Sequence, residues 1–127
     1  MTETMTEHPN ATIVRNMWAA MESGDMQGAS DALADDIVWH EIGNPEPRRG
    51  KAELAAAMTG GDYEIKATTH DVVANDEHVI ALTNAVATRG GRTLEYKTAE
   101  IMHVKDGKIT ERWAFSDDTA AITAFFA

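Results

Sequence analysis

The sequence predicts one α+β domain in which a curved antiparallel sheet wraps around about three N-terminal helices and encloses one pocket. Its 127 residues fit a single domain. Segments with helical periodicity come first and β-prone segments follow, and the turn signals Gly90-Gly91 and Asp106-Gly107 join the later strands as consecutive hairpins. We therefore expect a domain over residues 10–127, preceded by a polar, flexible tail over residues 1–9.

The helices are predicted from apolar spacing and from caps. Apolar residues after Asn10 recur at helical spacing, and Gly24 is placed to end this first helix. Asp25 is suited to cap a short second helix that runs through Leu33. Residues 51–58 are rich in alanine and predict a third helix, which the pair Gly60-Gly61 stops. Two helices thus precede the first strand and one follows it.

The strands are predicted from runs of β-branched and aromatic residues between turn signals. A short strand covers residues 37–39 and leads into the loop GNPEPRRG. Four longer strands cover residues 63–74, 78–88, 93–104 and 109–115. Residues 117–126 predict a closing helical turn. The expected sheet is an antiparallel meander whose concave face surrounds the helices.

Composition excludes several classes of function. The chain carries 11 Lys and Arg against 21 Asp and Glu, a net charge of −10, so we expect neither nucleic acid nor a membrane surface as partner. It has no cysteine, and its start lacks the basic and apolar regions of a secretory signal, so we expect a cytoplasmic protein. The five histidines form no metal-binding motif, so no metal and no cofactor is expected.

Glu41 is the first candidate catalytic residue. Side chains alternate along a strand, so Glu41 shares a face with Ile37 and Trp39. A carboxyl group desolvated by such neighbours has a raised pKa, which suits a general base near neutral pH. The alternative is a position at the rim, with an ion pair to Arg48 or Arg49 that implies no function.

Glu100 is the second candidate. If Asp106-Gly107 is a two-residue turn, the hairpin places Glu100 opposite Trp113. Two carboxyl groups in differently desolvated surroundings can act one as ionised base and one as protonated hydrogen-bond donor. The alternative for Glu100 is a cross-strand pair with Arg112.

Large apolar and aromatic residues predict a lining for a flat hydrophobic ligand. The alternative for them is ordinary core. Two phenylalanines near the C-terminus, Phe125 and Phe126, are expected to close the cone or to join a dimer contact, and we expect a homodimer through the sheet. The predicted substrate-binding residues are Met17, Trp18, Met21, Trp39, His70, Met102, His103, Trp113 and Phe115.

Two segments carry a resemblance to a known superfamily. LADDIVWHEIGNPEPRRG resembles the stretch of ketosteroid isomerase that holds its catalytic acid, and TAEIMHVKDGKITERW resembles the last hairpin of that enzyme and of SnoaL-like polyketide cyclases. The resemblance implies the cone fold of nuclear transport factor 2-like proteins, Glu41 as base and Glu100 as hydrogen-bond donor. Met17 stands where ketosteroid isomerase has its oxyanion-binding tyrosine, so steroid isomerisation is not implied.

Three functions remain open at this point. The first is an isomerase or cyclase that transfers a proton on a hydrophobic carbonyl compound. The second is a non-catalytic ligand-binding or dimerisation module, since fold alone does not fix function. Epoxide hydrolysis ranks lower, because the Arg-x-Asp element that it needs is missing from the predicted strands.

Overall fold

The computed structural model describes residues 7–58 and 61–127. The predicted stop of the third helix at Gly60 lies outside the described residues. Helices and strands follow one another in nearly the predicted order, with one additional short strand, β2. The elements are α1 (Pro9–Ser23), α2 (Met26–Asp31), β1 (Leu33–Trp39), β2 (Arg48–Arg49), α3 (Gly50–Met58), β3 (Tyr63–Ala74), β4 (His78–Arg89), β5 (Arg92–Lys105), β6 (Lys108–Ser116) and α4 (Thr119–Phe126).

The first two helices end and begin at the predicted caps. Gly24 adopts a left-handed conformation with φ 81°. Its N–H donates hydrogen bonds to the Ala20 and Met21 carbonyls in the last turn of α1. The Asp25 carboxylate accepts a hydrogen bond from the Gly28 N–H at 2.9 Å and so starts α2. The buried face of α1 carries Ala11, Val14 and Met17. This face places α1 against the sheet.

The six strands form one curved sheet in the order β2-β1-β6-β5-β4-β3. From β3 to β6 the strands pair antiparallel in sequence, as predicted. β1 instead lies parallel to β6, with Trp39 beside Arg112, and β2 pairs antiparallel with β1. The sheet is therefore mostly antiparallel, and its one parallel contact brings the end of β1 next to the last strand.

The predicted pairing of Glu100 with Trp113 is wrong. The hairpin pairs Lys105 with Lys108 as expected, but the register shifts at the next residues and leaves Thr110 without a partner on β5. This bulge moves β6 by one residue, so Glu100 lies opposite Ala114. Since neighbouring residues of a strand face opposite sides, Glu100 and Trp113 project from different faces.

The sheet has an inner face, which packs against α1, and an outer face. Inner residues of β1, β4, β5 and β6 are almost fully buried, among them Ile37, Val79, Met102 and Ile109. After β6, α4 buries Ile122 and Phe125. Arg89 donates hydrogen bonds to the carbonyls of Phe125 and Ala127. Within the described ranges, every helix is too short or too polar to cross a membrane.

Candidate functional site

Trp39 lies at the centre of a polar and aromatic cluster on the inner face. It is the last residue of β1, and strand pairing places Arg48 of β2 on one side of it and Arg112 of β6 on the other. The Arg112 guanidinium lies 4.4 Å from the centre of the Trp39 ring. Trp18 of α1 meets that ring edge to face, at 6.5 Å between centroids. We call these residues, with Glu41 and Glu100, the Trp39 cluster.

Glu100 forms a buried ion pair with Arg112. Glu100 is only 5% exposed, and its Oε1 accepts hydrogen bonds from Arg112 Nε, at 2.9 Å, and from Nη2. Arg112 Nη1 donates to the His40 carbonyl at 2.8 Å. Because a guanidinium only donates, this oxygen of Glu100 is an acceptor. The cross-strand pair considered as the alternative is present, and the geometry does not favour Glu100 as a donor through that atom.

Glu41 lies at the edge of the cluster, just beyond β1. Its side chain is 35% exposed, and its Oε2 lies 3.7 Å from Arg48 Nη2. That separation is longer than a hydrogen bond, so the carboxylate is attracted to Arg48 without being held by it. Glu41 is thus neither sealed in the core nor fully hydrated.

Tyr96 is an inner-face residue that sequence reasoning missed. It lies on β5 four residues before Glu100, and strand alternation places both side chains on the same face. Burial raises the pKa of the Tyr96 phenol, and the charge of Glu100 raises it further. The hydroxyl therefore stays protonated at neutral pH and can donate a hydrogen bond. Its even spacing from Glu100 was the available signal.

The structure divides the predicted ligand-binding residues between two faces. Met17, Trp39 and Met102 are buried on the inner side, and Trp18 and Met21 pack against that core. Glu100 and Arg112 point to the inner face, and side chains alternate between faces along each strand. His103, Trp113 and Phe115 lie an odd number of residues from them and therefore project from the outer face.

On the outer face Trp113 stacks on His40 at 5.3 Å between ring centroids and meets His103 at 4.8 Å. Phe115 is 59% exposed. His70 lies where the pairing of β3 with β4 shifts register. These four predicted contacts do not join the Trp39 cluster, because the alternation and the bulges turn them away.

Within residues 7–58 and 61–127, no group of three or more His, Asp or Glu residues is placed to hold a metal ion. The Trp39 cluster therefore offers hydrogen bonds, charge and apolar surface. Its carboxylates and guanidiniums alternate, with Glu41 beside Arg48 and Glu100 beside Arg112. Such an arrangement suits a neutral ligand with a polar end.

Comparisons with known proteins give a family match, relatives of similar sequence and structures of the same architecture. The family described as SnoaL-like domain matches residues 14–112. An uncharacterized protein of Mycobacterium tuberculosis is 29% identical over 97% of this chain and 100% of its own length. Bal32a, from a soil-derived mobile gene cassette, has a TM-score of 0.82 at 26% identity, over 94% of this chain and 97% of its own.

A LEH-like epoxide hydrolase of M. tuberculosis has a TM-score of 0.72 at 20% identity, over 86% of this chain and 83% of its own. At that identity the likeness shows the fold alone. The cone fold predicted from the sequence is confirmed by these likenesses. The enclosed pocket predicted with it is not confirmed and stays a prediction.

Proposed function

Because the chain belongs to the SnoaL-like domain family, we propose that it is a small-molecule enzyme that transfers a proton on a hydrophobic carbonyl compound, as an isomerase or a cyclase does. The observation that carries the proposal is the buried Glu100–Arg112 pair against Trp39. A buried ion pair contributes little stability relative to an apolar core, so its presence favours a role in a site.

Glu41 is the proton acceptor in this proposal. Its carboxylate takes a proton from the carbon beside the substrate carbonyl, and the electrons of the broken C–H bond move to the carbonyl oxygen, which gives an enolate. An isomerase returns the proton at another carbon. A cyclase lets the enolate carbon attack a second carbonyl of the same molecule. Neither route needs an oxidant or a reductant, and both use a general base that a ligand can reach.

The test is exchange of carbon-bound hydrogen for deuterium in a panel of hydrophobic cyclic ketones in D₂O, followed by NMR. We expect E41Q to slow exchange by roughly 100-fold or more, the usual contribution of a general base. E46Q changes an exposed glutamate of the same loop and serves as the matched control. Equal exchange rates in E41Q and the parent protein would remove Glu41 from the mechanism.

A non-catalytic ligand-binding module is the second candidate. Arg112 is already engaged by Glu100 and by the His40 carbonyl, so this pair can shape a binding surface without taking part in a reaction. The same panel separates the two candidates. Ketones that bind to the parent protein and exchange no hydrogen in its presence favour the module.

Epoxide hydrolysis remains the lower-ranked alternative. That reaction needs an arginine between two acids, and Glu100 is the only carboxylate that hydrogen-bonds Arg112 among the described residues. The likeness to an epoxide hydrolase supports the fold and not this chemistry. Hydrolysis of any member of an epoxide panel would reverse the ranking.

We further propose that the protein is a homodimer through the outer face of the sheet. Apolar side chains form a row across four strands there, since Val73 pairs with Ile80, Ile80 with Ile101, and Ile101 with Trp113. A continuous apolar row on an exposed face favours an interface. The cytoplasmic location stays a prediction.

A further inference from the structure

His40 contacts three consecutive residues of β6. Its Nε2 lies 2.7 Å from Glu111 Oε2, and its ring stacks on Trp113 with 5.3 Å between centroids and 5° between planes. Between these two residues, the Arg112 carbonyl accepts from the His40 N–H at 2.9 Å, and Arg112 Nη1 donates to the His40 carbonyl at 2.8 Å. We call these four residues the His40 clamp. The clamp fixes both the backbone and the ring of the residue directly before Glu41.

The hydrogen bond to Glu111 has a defined direction. An ionised carboxylate only accepts, so we assign a hydrogen to Nε2 of His40. The neutral imidazole can therefore make this bond, and a further proton on the ring makes it charge-assisted. Stacking on Trp113 fixes the plane of the ring. A glutamine at position 111 could accept the same hydrogen, whereas an alanine could not.

The position of Glu41 depends on the residues around it. β1 ends at Trp39, two residues before Glu41. The Glu41 carboxylate lies 3.7 Å from Arg48 Nη2, which is beyond hydrogen-bond distance. Its carbonyl accepts a hydrogen bond from the Asn44 N–H at 3.2 Å, so Glu41 starts the turn that follows. The chain entering this turn is fixed by His40.

A proton transfer is sensitive to such positioning, since a displacement of about 1 Å can slow a reaction by about 100-fold. The two side chains of the His40–Glu111 pair are 32% and 31% exposed, and pairs near a surface contribute little stability. We propose that the His40 clamp positions Glu41 for proton transfer, so that His40 and Glu111 are positioning residues. The inference rests on the proposed function and adds to it a contact on the outer face of the sheet.

The experiment compares E111A with E111Q in the deuterium-exchange assay, on the cyclic ketone that the parent protein exchanges fastest. We expect E111A to lower kcat by about tenfold and to change KM by less than about twofold, because Glu41 acts in the transfer and not in binding. E111Q keeps an acceptor and should stay within about threefold of the parent. H40F keeps a stacked ring without the Nε2–H and should resemble E111A. D76A removes the carboxylate 3.0 Å from His8 Nε2, in the β3–β4 turn, and is the control.

Amide hydrogen exchange, followed by NMR, tests the clamp without turnover. We expect E111A to speed exchange at the His40 and Asn44 N–H groups by roughly threefold or more, because the turn loses its anchor. E111Q should have a smaller effect. The Asn75 N–H, which donates to the His78 carbonyl at 2.9 Å in the β3–β4 turn, should be unchanged.

Two outcomes of the ketone assay would overturn the positioning role and leave Glu41 as the base: an E111A variant with the kcat of the parent, or an E111Q variant as slow as E111A. A parent protein that exchanges no ketone hydrogen removes the proposed enzyme instead. In that case faster exchange at Asn44 in E111A keeps the clamp as the anchor of this turn. Unchanged exchange at Asn44 overturns the clamp whether or not the protein is an enzyme.

Discussion

At the scale of single residues, Arg112 joins three strands. Its guanidinium lies over the Trp39 ring of β1 and forms an ion pair with Glu100 of β5. It also donates a hydrogen bond to the His40 carbonyl just beyond β1. All three contacts are made in a part of the molecule that water hardly reaches, where an unpaired charge is strongly unfavourable. Replacing either Glu100 or Arg112 should therefore destabilise the protein strongly, and replacing both should destabilise it by less than the sum of the two single losses.

A double-mutant cycle measures this coupling. We expect E100Q or R112M alone to lower the free energy of unfolding by about 3 kcal/mol, because each leaves a buried polar group without its partner. The double variant should lose less than the sum by about 1–2 kcal/mol. The measurement is urea denaturation, and K51M, which removes a surface ion pair with the exposed Asp35, is the control with little effect. Additive losses would show that the two side chains are not coupled.

Residue positions were predictable where simple alternation holds. Ile37 and Trp39 are buried on one face, as the strand pattern predicted. Trp113 and Phe115 were placed on the wrong side of the hairpin, because the bulge at Thr110 has no signal in composition. The sequence predicts Arg112 only as a surface partner of Glu100, since it does not show how deeply an ion pair is buried.

At the scale of elements, the loop after β1 is tied to α4. Gly43 has φ 81°, and a Cβ added to it would lie 2.3 Å from Thr123 Oγ1 of α4. The loop that carries Glu41 therefore approaches α4 as closely as a glycine permits.

G43A tests the close approach. Gly24 has the same φ of 81° and nothing within 4 Å of its added Cβ, so G24A measures the backbone strain alone, about 1 kcal/mol. We expect G43A to destabilise by about 1 kcal/mol more than G24A, because the methyl group also collides with Thr123. Adding T123A to G43A should recover most of that difference in thermal or urea unfolding. Equal losses in G43A and G24A would contradict the contact.

The order of elements followed from periodicity and turn chemistry, and the topology did not. Five strands and four helical segments appear in the order that apolar spacing, caps and turn residues predicted. The second helix, predicted to run through Leu33, ends at Asp31, and β1 begins at Leu33 rather than at Ile37. The parallel pairing of β1 with β6 and the two-residue strand Arg48–Arg49 were missed. Pairing between the first and last strands depends on long-range contacts, and a pair of arginines has no strand propensity of its own. These missed pairings are the ones that place Arg48 and Arg112 beside Trp39.

At the scale of the whole molecule, the two faces of the sheet differ in composition. The inner face carries the Trp39 cluster. The outer face exposes the apolar row Val73, Ile80, Ile101 and Trp113, and beside it Leu82, Ala99 and Phe115 in the next row. In a chain of net charge −10, a contiguous apolar surface of this kind favours a partner of similar character.

Phe115 tests the proposed homodimer. It is 59% exposed, and in a twofold interface one substitution acts twice, so F115E should convert a dimer into a monomer of 13.8 kDa. M26E adds the same charge at a 55% exposed methionine of α2 and is the control. Light scattering after size-exclusion chromatography gives the masses. A parent protein that is already monomeric, or an F115E variant that stays dimeric, would refute the interface.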